Sequence, residues 1–235
     1  MGVWIAIVLA LAVQCAWSAR ARHLESLPAA IPPAPTLGIL DAFAFGDPAA
    51  VSYLISLRLQ SVDDGFARVS SFATLHYGHL SDWLSLALDL DPVGHYPLLL
   101  ASHVYSQVQD PARQRRMIAL VRAQANKDLS RRWQWLAHVS IMARHRLHDP
   151  RLALSLASDL AHAPGSIAMP GWARQMAAFL HEDLGEHDAA RALLGGLLHS
   201  GTVRDANEAD FLARRLAAIG PRQEVVDGVG DASSH

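Results

Sequence analysis

The sequence predicts an all-α protein built as a stack of antiparallel helix pairs and preceded by one membrane helix. Three observations carry this. Along the 235 residues, apolar positions recur at spacings of three and four, and no segment sustains period-two alternation. Asp47-Pro48, Asp110-Pro111 and Asp149-Pro150 each place an N-capping carboxylate before a proline at the first helical position, where its missing N–H costs nothing. Asp110, Asp149 and Asp188 are each 39 residues apart, the mark of an internal repeat. With 51% hydrophobic and 18% charged residues, the chain has the composition and length to bury a core.

Residues 1–22 read as the membrane segment. From Val3 to Ala19 the run VWIAIVLALAVQCAWSA holds seventeen residues without a charge, about 25 Å of helix and the short end of a bilayer span. A cleaved signal peptide is the alternative, because Ala16-Trp17-Ser18 and Ala19-Arg20-Ala21 offer small residues at a peptidase's spacing. The basic n-region of a signal peptide is missing, which favours a retained anchor. Arg20 and Arg22 follow the run, so the positive-inside bias places the domain on the cytoplasmic side. The expected location is a bacterial inner membrane, single-pass; export would follow if the segment were cleaved.

Residues 23–37 form a proline-rich stalk, with four prolines in the ten residues from Leu27 to Thr36; such a stretch favours extended polyproline II. The helical domain spans 38–220, with helices expected near 48–60, 77–90, 95–108, 111–126, 131–147, 150–162, 170–184, 188–199 and 206–219. Ser61 to Thr74 is the one long irregular connection, and 221–235 is a polar tail without an apolar face, expected to be disordered.

The most regular unit, Trp172 to Leu198, has Gly185 in its turn, Ala190 five residues later, and Ala178 and Leu194 at small and large packing positions. In these residues it resembles a tetratricopeptide repeat. His181 stands where that repeat usually has an aromatic, and no proline closes the unit. The preceding unit, Trp133 to Pro164, supplies Ala153 and the closing Pro164, and the earlier helices resemble the repeat only in pattern. The resemblance implies a TPR-like α-solenoid and a protein-binding role, with a period longer than the family's usual one.

Composition removes several chemistries. One cysteine, Cys15, and one lysine, Lys127, stand against nineteen arginines. A disulfide framework and a Cys-based zinc site are therefore excluded, and Lys127 lies outside any Walker-type motif. No GxGxxG, GxSxG or HExxH pattern occurs. His145 with His148, and His181 with Glu182 and His187, lack a third ligand at zinc spacing and read as solvated, while His138 reads as a packing residue. Asp89-Leu90-Asp91-Pro92 reads as helix termination with capping, not as a calcium loop. Neither a catalytic residue nor a cofactor or metal is expected.

Charge is segregated. Between Asp110 and Leu152 the formal charge is +7, against −4 from Arg20 to Gln109 and −5 from Ala153 onward. A solvated arginine-rich face accounts for this, and so does an anion-facing surface in which arginine forks grip carboxylate or phosphate. The acidic flanks argue against nucleic acid. The expected partner is a protein, presenting an acidic segment to Arg115, Arg122, Arg131 and Arg132, with Trp133 as an apolar anchor beside them. Trp133 and Trp135 flank Gln134, so they point to different sides of one helix and serve packing before any ligand. The function expected is that of a membrane-tethered, non-enzymatic adaptor or scaffold. The alternative is an enzyme or enzyme subunit with an Asp/Glu/His site in the helical groove.

Overall fold

The computed structural model describes residues 11–18, 31–63, 75–203 and 205–219, and all their regular secondary structure is helical. Most of the expected anchor, the first half of the stalk, the 64–74 connection and the polar tail lie outside these residues. The helices divide into two compact units, ending and starting at Lys127 and Asp128.

Residues 11–18 are helical, with Leu11, Val13 and Trp17 exposed. In the first unit, 31–36 run extended into α1 (Leu37–Phe43), followed by α2 (Pro48–Asp63) and α3 (Tyr77–Leu90). After these come α4 (Tyr96–Leu99) and α5 (Pro111–Lys127). The second half of the stalk is docked. Ile31 is buried, its carbonyl lies 2.7 Å from His79 Nδ1, and Trp83 Nε1–H donates to the Pro32 carbonyl at 2.9 Å. Periodicity offers no sign of α1, because two turns are too short to establish it.

The expected DP caps form. Asp47 accepts from Ala50 N at 3.0 Å, Asp110 from Ala112 N at 2.9 Å, and Asp149 from Leu152 N at 3.0 Å. Each carboxylate satisfies an N–H that the first helical turn leaves open. Asp128 and Asp205 cap α6 and α10 in the same way.

The helix expected over 95–108 changes pitch. After α4 the chain widens to a π-turn over Leu100–Val104 and tightens to a 3₁₀-turn over Tyr105–Gln107. Ser102 Oγ donates to the Leu98 carbonyl at 2.7 Å, and Ser106 Oγ donates to that of Ser102. Such hydroxyls compete with the backbone for helical carbonyls. Gln114 Nε2 then takes up the Val108 carbonyl at 2.7 Å. Tyr77 Oη donates to the Tyr105 carbonyl at 2.8 Å. The core around this ladder is Leu80, Leu84, Leu98, Leu100, Met117 and Ile118.

The second unit holds α6 (Leu129–His145), α7 (Pro150–Ala161), α8 (Gly171–Asp183), α9 (His187–His199) and α10 (Ala206–Ala218). Its principal contacts run from each helix to the next in sequence. Small buried residues at these contacts, Ala137, Ala143, Ala153, Ala157, Ala173 and Ala177, let the helices approach closely. Ser140 Oγ crosses from α6 to the Ala153 carbonyl at 2.8 Å. Ala178, Leu194 and Leu212 form the cluster joining α8, α9 and α10. Gly185 takes φ +74° in the α8–α9 turn, where a side chain would be strained.

Candidate functional site

The basic residues of the sequence centre belong to two units. Arg115 and Arg122 lie two turns apart on α5 of the first, Arg115 exposed and Arg122 half-buried. Arg131, Arg132 and Trp133 lie in the first turns of α6 in the second. Arg131 is exposed and pairs at 2.9 Å with Asp128, the residue that caps its own helix. The Ser130 hydroxyl, and then Arg131, hold the Asp128 carboxyl below the usual carboxylate range. Arg132 is only 2% exposed, so it is not a rim residue. Trp133 is half-buried, edge-on to Trp172 with ring centroids 5.7 Å apart, an aromatic pair within the stack.

Much of the basic excess is answered by acids, several from the acidic flanks. Lys127 meets Asp89 at 2.7 Å, Arg113 meets Asp110 at 3.1 Å, and Arg144 meets Asp183 at 2.6 Å. Arg151 pairs with Glu186. The segregation seen along the sequence is therefore partly undone in space, and on α5 Arg115 and Arg116 are exposed.

The histidine-bearing turn between α8 and α9 is an ion-pair network. His181 Nδ1 sits 2.6 Å from Glu186 Oε2, and Arg151 holds the other Glu186 oxygen. These contacts, His181 first, keep the Glu186 carboxyl below its ordinary value. Glu182, 2.5 Å from Arg215 Nη2, holds that guanidinium above its own. The His181 ring is thus held by a carboxylate across the turn. Among the described residues, no three His, Cys, Asp or Glu side chains come together as a metal site.

Arg174, on α8, carries no sequence pattern that marks its role. Its side chain is buried, and its guanidinium donates to the carbonyls of Ala163 at 2.7 Å, Pro164 at 2.9 Å and Ile167 at 3.0 Å. It thereby fastens the α7–α8 connection. Nearby, the Glu208 carboxylate lies where a Cβ on Gly171 would sit, its Oε1 1.5 Å from that point, and accepts from Gln175 Nε2 at 2.5 Å. A glycine at the start of α8 makes room for this carboxylate at the positive end of the helix.

Each unit also has open cavities. In the first, a cavity of about 420 Å³ lies among Ile31, Leu40, Val51, Ile55, Leu59 and Trp83, with Arg58 as its only charged residue. In the second, one of about 420 Å³ and one of about 230 Å³ flank Arg174. The His181–Glu186 pair lines none of these three.

Compared with known proteins, the chain matches no protein family, no curated protein and no solved structure.

Proposed function

We propose that this protein is a membrane-tethered, TPR-like scaffold without catalytic activity that binds a protein partner. Residues 3–19 are the single-pass tether in a bacterial inner membrane, with the helical domain on the cytoplasmic side. The observation that carries the reading is the pattern of the second unit, where each helix packs chiefly on its neighbour in sequence, as repeat arrays do. Such arrays offer an extended side-chain surface and reserve no deep pocket for chemistry.

The partner's acidic segment docks on α5 of the first unit through Arg115 and Arg122. Arg132 and Trp133 contribute packing within the domain. The test is association with the partner captured from detergent-solubilised membranes and identified by mass spectrometry. Replacing both residues, Arg115→Glu and Arg122→Glu, is expected to slow that association about tenfold at low salt, because steering charges act on the encounter rate. Arg115 is exposed, so Arg115→Glu alone should leave stability within about 0.5 kcal/mol and serves as the folding control. An unchanged association rate would contradict the charge-docking surface.

A further inference from the structure

The corner between α1 and α2 exposes a group of large apolar side chains. The chain bends by 111° there. Phe43 and Phe45 are 66% and 94% exposed, and Ile39, Tyr53 and Leu54 are each more than half exposed. The three aromatics alone present on the order of 400 Å² to solvent, already the size of the largest patch on a typical monomer. α2 is apolar on two sides. One buries Ile55 and Leu59 beside Ser52 and Ser56, while the other exposes Tyr53, Leu54 and Leu57, with Tyr53 beside Tyr96 at 6.2 Å between ring centroids. Large apolar side chains left exposed in a group mark a contact surface.

Phe45 sharpens the point. Its φ is +47°, in the left-handed region that a bulky side chain disfavours, and it is followed by Gly46 at φ +89°. A strained and almost fully exposed phenylalanine contributes nothing to the packing of the fold, so the strain has its explanation in what the ring meets outside.

We propose that the α1–α2 corner seats in the headgroup layer of a neutral bilayer, with Phe43 and Phe45 as the inserted wedge and Arg58 at the phosphate level. The inference rests on the tether reading of residues 3–19. The helix over 11–18 is itself largely apolar and exposed, and only twelve residues lie between Ser18 and the docked Ile31. Fully extended, that connection reaches about 45 Å at most, so a tether in the bilayer holds the first unit beside it, and the exposed phenylalanines single out the corner as the part that enters.

From Leu37 to Arg58 the charged residues are Asp41, Asp47 and Arg58, and the Asp47 carboxylate is taken up as the cap of α2. The corner carries no cluster of cations to draw it to an anionic membrane, so a zwitterionic surface is the one it suits.

The test uses the full chain with Cys15→Ser in phosphatidylcholine nanodiscs. A fluorophore is placed singly through Val13→Cys in the tether, Ala49→Cys on the exposed side of α2, or Ala119→Cys on the exposed side of α5. Doxyl-labelled lipid is expected to quench positions 13 and 49 and to spare 119. Adding phosphatidylserine should not increase quenching at 49; an increase would overturn the assignment to neutral lipid. Phe45→Gly in the Ala49→Cys protein should abolish quenching at 49 without lowering Tm, since glycine accepts the positive φ. Quenching at 13 but not at 49 overturns this inference and leaves the tether standing. Quenching at neither position overturns both. Protection of position 49 from aqueous iodide without lipid quenching would assign the face to a protein and overturn the inference.

Discussion

Replacing Arg174 by alanine is expected to destabilise the second unit by about 3 kcal/mol, because hydrogen bonds from a charged donor are the stronger kind and buried acceptors left behind are expensive. Three carbonyls depend on the one guanidinium. Pro164 lies exposed and Ile167 half-buried, so water can replace the donor there, whereas Ala163 is 8% exposed and its carbonyl loses its partner outright. Thermal unfolding should therefore begin earlier by on the order of 10 °C. Arg174→Lys keeps the charge but not the planar fork, and should recover only part of the loss. A Tm for the alanine variant within about 2 °C of the parent would show that the α7–α8 connection does not depend on this residue.

Leu194→Ala should cost about 2–4 kcal/mol, as large-to-small changes in a closed core do. Leu194 is fully buried with Ala178 and Leu212, so the truncation opens a gap between three helices. Leu193, one residue earlier, is only partly buried against the same cluster, and its truncation should cost about 1 kcal/mol or less. Chemical denaturation of the two variants separates a packed α8–α9–α10 junction from a loose one. Equal losses would argue that Leu194 holds no special packing position.

The helices were legible because local chemistry punctuates them. DP dipeptides place both the cap and the fixed φ within two residues, and α3 falls on its expected bounds, 77–90. The 95–108 segment misled because side-chain hydroxyls, invisible to apolar periodicity, redirect its carbonyl bonds. α1 was missed because it is two turns long with no side-chain cap at Thr36. At the candidate site, the exposure of Arg115 and Arg131 follows from helical spacing, but the burial of Arg132 does not. Spacing along one helix gives the faces, and only the neighbours decide which face is covered. The same holds for Arg174, whose acceptors are loop carbonyls, and for the docking of Ile31 and Pro32 on His79 and Trp83.

Both the scaffold reading and the seated α1–α2 corner need the chain to stay attached to the bilayer through residues 3–19. Alkaline carbonate extraction of membranes, joined to intact-mass determination of the protein in each fraction, measures this directly. The protein is expected to stay with the membrane pellet at a mass that includes residues 3–19. Recovery in the supernatant with a mature N-terminus near Arg20 or Arg22 would contradict this.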